Sequence, residues 1–242
     1  MEEKKTHRLV EKPQMSARFL ADYMAASDQA RRTILRSCKY RAIARIVQHD
    51  DAKLAITKYL LDAKFDPTAL EAEAEYIRNK IYDSDFEKDC NEINADYVDR
   101  FSKVSENLNL PKNFQWAAGN TYPSQEINGL KVSFAPNLLL SRPGKKNLTK
   151  VGAMMLRYKK GSVLSEEVAC FQSSIIHGLM CSYGVEPEQE VDPKICVTLD
   201  AHSGTAHCAP TNAVSRFNNV KAACATIADA WDNIKAPSGA VI

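Results

Sequence analysis

The hydrophobic period of this chain changes near residue 110, and that change limits its fold more than any other feature. Before it, Phe86, Cys90, Ile93, Tyr97, Phe101, Val104 and Leu108 recur at spacings of 4, 3, 4, 4, 3 and 4. That is one apolar stripe on a long helix, ending before Pro111. Shorter helices precede it. Ser16 caps "ARFLADYMAAS", Ser27 or Asp28 caps "QARRTILRSCKY", Asp50 opens "DAKLAITKYLLDA", and Asp66 with Pro67 opens "DPTALEAEAEYIRNKIY".

From Phe114 the pattern becomes that of strands. Asn128-Gly129 stands between "YPSQEI" and "LKVSFAP" and suits the positive φ angles of a type I′ hairpin. "LTKVGAMMLRY" is apolar enough for a central strand. "SEEVACFQSSIIHGLMCSYG" is a helix with Ser165 as cap and Gly184 past its end. "KICVTLDA" and "TAHCAP" form a second hairpin, and "NAVSRFNNVKAACATIADAWDNI" is the closing helix. The expected fold is α+β: a helical N-terminal region over 1–110, then an α/β core over 111–242 with a mixed sheet flanked by helices. The two parts are either separate or merged in one compact domain.

Net charge is only +2, but it is unevenly spread. Residues 62–106 hold thirteen acids against six bases, whereas residues 127–165 hold eight bases and no acid. These bases are Lys131, Arg142, Lys145, Lys146, Lys150, Arg157, Lys159 and Lys160. Such asymmetry implies an oriented surface field. Pro143-Gly144 marks a turn that presents Lys145 and Lys146 between flanking Arg142 and Lys150. Arg31, Arg32 and Arg36 make a second basic face, with Lys39 and Arg41 just beyond. Seven scattered cysteines without a C-x-x-C pair read as reduced thiols in a cytoplasmic protein, and the charged start "MEEKKTHRLVEKPQ" has no secretory character.

The order of elements resembles the restriction-endonuclease-like core of the PD-(D/E)XK superfamily, α-β-β-β-α-β. That resemblance implies a Pro-Asp at one strand, (Asp/Glu)-x-Lys on the next, and a Gln on the following helix. The two acids would hold a divalent cation that activates water. Here Pro136-Asn137 stands at the first position, Ala153-Met154-Met155 at the second, and Gln172 on the helix. Asn137 offers one neutral oxygen, and Ala153 and Met155 offer magnesium nothing. The chain is also similar to an uncharacterised bacterial protein family. The similarity rests on Ser16, Ala17, Leu20, Ala21 and Tyr23; on Pro136-Asn137-Leu138 and Gly152 to Leu156; and on Asp200, Gly204, Ala209, Pro210, Ala223, Cys224, Ile227, Ala228 and Trp231. Asn137 and Met155 depart from an acid and a lysine in that family.

Other chemistry-bearing residues have structural explanations. Glu126, Glu166, Glu167 and Asp200 are the acids near the expected core; Glu166 and Glu167 suit a helix's first turn, and Asp200 suits a hairpin turn. In "DAHSGTAHC", His207 and Cys208 are adjacent on a strand and face opposite ways, so they cannot share a metal without distortion. His177 lies within an apolar helix. No metal or other cofactor is expected. The leading expectation is therefore a non-catalytic nucleic-acid-binding protein of degenerate nuclease-like fold, with Arg142, Lys145, Lys146, Lys150, Arg157, Lys159 and Lys160 on phosphates and Tyr158 placed to stack a base. Two alternatives are an interaction subunit of a bacterial multiprotein assembly and a divalent-metal nuclease with relocated acids. No stretch of apolar residues is long enough to span a membrane.

Overall fold

A computed structural model describes residues 5–43, 49–62, 66–111, 114–145, 147–158 and 161–242. In chain order the elements are β1 (His7–Leu9), β2 (Gln14–Ser16), α1 (Ala17–Ala25), α2 (Asp28–Lys39), β3 (Tyr40–Ala42), α3 (Asp50–Leu61), α4 (Pro67–Arg78) and α5 (Asp85–Ser105). There follow β4 (Gln115–Ala118), β5 (Gln125–Ile127), β6 (Leu130–Ser133), β7 (Leu138–Pro143), β8 (Thr149–Arg157) and α6 (Glu166–Tyr183). The chain then forms β9 (Gln189–Val191), β10 (Val197–Asp200), β11 (Thr205–Cys208) and α7 (Ala213–Ala230). The architecture is mixed α and β.

The helix starts follow their capping residues. Ser16 accepts from the Phe19 amide and Ser27 from that of Ala30, and Asp66 accepts from the Thr68 amide with Pro67 in the first turn. Ser84 and Glu87 form a reciprocal box at the start of α5: Ser84 Oγ accepts from Glu87 N, and Glu87 Oε2 accepts from Asp83 N. At α3, His49 makes no side-chain cap; Asn94 of α5 reaches over and accepts from the Ala52 amide at 3.0 Å.

The principal sheet runs β11-β10-β8-β7-β4, with β9 also paired to β8. β4, β7 and β8 are successively antiparallel; β10 returns parallel to β8, and β11 is antiparallel to β10. Strand alternation sorts the side chains. Leu138, Leu140, Met154, Leu156, Val197 and Leu199 pack with α3, α4 and α5. Leu139, Ala153, Met155 and Cys196 pack on the other side with α6, α1 and α7. β8 is apolar on both faces, as a covered central strand must be.

The Asn128-Gly129 hairpin forms as its positive φ angles require, at 46° and 81°. It lies outside the principal sheet, however. β5 and β6 join β2 in a separate three-stranded sheet, where residues 14–16 run parallel to 131–133. The region expected to be purely helical thus holds β1, β2 and β3. α1 and α2 share a hydrophobic cluster with α6 and α7, while α3, α4 and α5 share one with the principal sheet, so both clusters cross residue 110. Lys39 at the end of α2 is 7% exposed, and its ammonium donates to the carbonyls of Trp231 (2.7 Å) and Asp232 (3.1 Å) beyond α7. That satisfies carbonyls a helix end leaves open and places a cation at the negative end of its dipole.

β9 and β10 occupy the same edge of β8 in succession, through residues 149–151 and 154–157 of β8. The turn between them, Pro193–Ile195, presses on Gly152, where an added Cβ would lie 2.3 Å from the Ile195 carbonyl oxygen. Backbone against backbone leaves no room for even a methyl group. Gly152→Ala should therefore destabilise the protein by about 3 kcal/mol, a Tm decrease of roughly 10 °C by calorimetry. An unchanged Tm would contradict this packing.

Candidate nucleic-acid interface

Asn137 immediately precedes β7. Its backbone N–H donates to the Met154 carbonyl, and its side-chain Oδ1 accepts from the Leu156 amide at 2.8 Å. The amide thereby extends the β7–β8 ladder, and its oxygen is engaged by the backbone. Ala153 is wholly buried and Met155 half-buried on the α6 side of the sheet. Gln172 is wholly buried on α6, with neither amide atom hydrogen-bonded among the described residues. A hard cation prefers six or more oxygens, and these positions offer one engaged amide oxygen and one orphaned amide.

The other acids singled out in the sequence are dispersed. Asp200 is 1% exposed, and its carboxylate accepts from Leu164 N, His202 N and Ser203 Oγ. Glu166 and Glu167 are exposed in the first turn of α6, and Glu126 is exposed on β5 in the smaller sheet. His207 and Cys208 occupy successive positions of β11. His177 is buried, with Nε2 3.8 Å from Cys181 Sγ, and burial lowers its pKa. Among the described residues, no three His, Cys, Asp or Glu side chains come together as a metal site.

The basic hairpin contains partners that its own sequence does not reveal. Arg142 and Lys150 face each other across β7 and β8. Arg142 bonds Asp192 at 2.5 Å and Lys150 bonds Glu190 at 2.5 Å, both acids arriving with or just after β9. Segment 127–165 is free of acids, but its neighbour in space is not. Lys145 is exposed at the tip, beside a concavity of about 690 Å³ that Arg142, Gly144, Leu148 and Lys150 also line. Lys146, Lys159 and Lys160 lie outside the described residues.

Arg157 and Tyr158 differ from the expectation of exposed ligands. Arg157 is 6% exposed and pairs with Asp22 of α1. Tyr158 is 3% exposed, with Tyr97 packed edge-on at 4.9 Å, so its ring has no open face for a base. The cause in both cases is that β8 ends beneath α1 and α5 rather than at the surface.

A basic surface lies elsewhere. β1 and β3 form an antiparallel ribbon in which Arg8 stands directly opposite Arg41. Two concavities meet there, of about 760 and 850 Å³, both lined by His7, Arg41 and Ala42. The first adds Arg36, Tyr40 and the exposed Phe19; the second adds Lys5, Arg8 and one acid, Glu11. Lys5, Arg8, Arg36 and Arg41 are exposed, and none is within ion-pair distance of an acid among the described residues. The arginine pattern of α2 signalled part of this face. The three-residue strands that bring Arg8 and Arg41 together are too short to show a period.

The chain matches no known protein-family profile. It matches no curated protein either.

Two measurements probe this geometry. Burial alone would raise the pKa of Asp192, but the Arg142 hydrogen bond and the Lys194 amide outweigh it and lower the pKa. A carboxylate with a lowered folded pKa stabilises above its unfolded value of about 3.9, and the contribution is lost as pH falls through the folded one. Asp192→Asn should cost about 1–3 kcal/mol at pH 7 by urea denaturation, and the gap to the parent should narrow below pH ~4. A gap constant from pH 7 to 3 would contradict the pairing. Asn137→Ala should cost about 1–3 kcal/mol by stranding the Leu156 amide, with magnesium or manganese stabilising neither form. A metal-dependent rise in Tm that vanishes in Asn137→Ala would show a metal at this position.

Proposed function

We propose that this protein binds nucleic acid without cutting it, through phosphate contacts on the β1/β3 ribbon and the two concavities that share Arg41. The observation that carries the reading is the Arg8–Arg41 juxtaposition. Like charges directly opposite on a strand pair are destabilising, and here neither has an acidic partner among the described residues. A polyanion removes that repulsion and releases its own condensed counterions. Phe19, 44% exposed in the concavity that Arg36 and Arg41 also line, gives an apolar surface for a sugar or base. Lys145 at the hairpin tip is a further exposed base.

With β5 and β6 set apart in the smaller sheet and β9 interposed after α6, the order α5-β4-β7-β8-α6-β10 supports a restriction-endonuclease-like core, since it follows the α-β-β-β-α-β succession of the PD-(D/E)XK superfamily. Within that reading the catalytic positions carry Asn137, Ala153 and Met155, and Asn137 has become a backbone ligand. Seven free thiols fit a reducing cytoplasm. No helix among the described residues is long and apolar enough to cross a membrane.

A second reading, an interaction subunit, has its own observation. Ile81 is 98% exposed between α4 and α5, with Tyr76 and Tyr82 also exposed nearby. Such a patch is the kind a protein partner covers.

Fluorescence anisotropy with labelled duplex and single-stranded probes, measured across salt, separates these. Each phosphate contact on duplex DNA contributes about −0.9 to the log–log salt slope. Arg8→Ala with Arg41→Ala should flatten the slope by about 1.8 and weaken all sequences alike, and probes should stay intact with magnesium. If the parent binds no probe, or the double variant binds as well as the parent, this surface does not bind nucleic acid.

A further inference from the structure

The principal sheet ends differently at its two edges. At β11 the Ala209 amide donates to the Cys196 carbonyl, so in the β10–β11 register Thr205 and His207 face β10 and Ala206 faces outward. That outward N–H is already taken, donating to Asn109 Oδ1 at 2.7 Å. At β4 the Gly119 amide donates to the Asn137 carbonyl, so Gln115 and Ala117 turn their N–H and C=O groups toward β7. Trp116 and Ala118 turn theirs away from the sheet, and these backbone groups have no hydrogen-bond partner among the described residues. Natural sheets protect a bare edge with lysine, proline, a bulge or a covering element. Residues 114–122, "FQWAAGNTY", hold no charge and no proline.

A concavity adjoins this edge. On the α6 side of the sheet, Ala117, Tyr122, Leu139, Met180, Tyr183 and Val185 line a space of about 240 Å³ with no charged residue on its wall. Ala117 is itself exposed, so the space reaches the edge strand. Its aromatic wall is braced: the Tyr122 and Tyr183 rings lie 4.6 Å apart, Tyr122 lies 5.4 Å from Phe134, and the Tyr183 hydroxyl donates to the Pro123 carbonyl at 2.5 Å. Pockets that enclose whole small molecules run to about 300–1,000 Å³. This one is of a size for a single large side chain. A second copy pairing through the same edge could bring only Gln115, Ala117 or Gly119 to that face, none of them large and apolar. Self-pairing would therefore leave the concavity empty.

We propose that β4 accepts an extended segment of another protein as an added strand, with one leucine-sized or aromatic side chain seated between Tyr122 and Met180. Pairing with the Trp116 and Ala118 backbone supplies affinity, and the concavity selects the residue. The segment is uncharged where it crosses the concavity, because a charge buried there would find no counter-charge. The proposal rests on neither the Arg8–Arg41 surface nor the Ile81 patch.

Amide hydrogen exchange and peptide selection test it. In the free protein the Trp116 and Ala118 amides should exchange rapidly and the Ala117 amide slowly. Panning a displayed library of random heptapeptides should enrich sequences with a large apolar residue at one fixed position. A selected peptide should then protect the Trp116 and Ala118 amides, and changing its apolar residue to alanine should raise the Kd about 10–100-fold. Ala118→Pro removes one outward N–H without touching the β7 ladder and should weaken the peptide about 2–10-fold. Ala117→Leu, at an exposed position, adds bulk to the wall of the concavity and serves even if Ala118→Pro does not fold; it should weaken the peptide at least tenfold, about the loss of one buried side chain. Slow exchange of Trp116 and Ala118 in the monomer would overturn the proposal, as would a library that yields no peptide protecting them. So would full-strength peptide binding by Ala117→Leu. Protection that grows with protein concentration alongside a dimer mass would also overturn it, by placing a second copy on the edge.

Discussion

β8 is covered on both faces and paired along both edges, and the positions of nearly every other element follow from that constraint. β7 fixes one edge over residues 149–154, while β9 and β10 divide the other between them. A strand so enclosed cannot carry free charge along its middle, and it does not: Val151 to Leu156 are all apolar. Charge returns only at the strand's two ends. At one end Lys150 meets Glu190, and at the other Arg157 meets Asp22. Ala153 and Met155 are therefore part of the same continuous packing that Gly152 makes possible against Ile195.

Charge counted by segment proved a poor guide to charge available in space. The acidic stretch looks like a negative face, yet Glu75, Glu92, Asp96 and Asp99 all converge within 4 Å on the single guanidinium of Arg78. Hydrogen bonds that it donates to Asp99 and Glu92 raise the pKa of that arginine despite burial. Much of the acid is thus spent joining α4 to α5. The basic hairpin shows the reverse effect, with its acids supplied from some forty to fifty residues away in sequence. Net field arguments hold only for charges that no fold contact has claimed.

Local signals in the sequence were legible because they are local. Ser16, Ser27, Asp66 and Ser165 cap the helices they precede, and Asn128-Gly129 turns its hairpin. The strand after the basic loop is also where the apolar run of "LTKVGAMMLRY" places it. What could not be read is set by tertiary pairing. β1, β2, β3 and β9 have three residues each, too few for alternation to register. The Arg157–Asp22 pair spans 135 residues, so burial of the strand end could not be inferred from "LRYKK" alone. For the basic surface, the α2 arginines were visible, but the meeting of Arg41 with Arg8 depended on the ribbon.

The smaller sheet has a consequence for the order in which the molecule assembles. β5 and β6 can close through a two-residue turn almost at once, since hairpins form in microseconds. β2 must then find β6 across more than a hundred intervening residues, in parallel, to place Met15 against the core. Loop-closure entropy opposes that step until the intervening helices and principal sheet have shortened the effective distance. The first helices, though synthesised early, are anchored by strands that emerge much later. A nascent chain therefore holds α1 and α2 with their apolar faces uncovered until β6, α6 and α7 have left the ribosome, so the amino-terminal end of this fold is among the last parts to be completed.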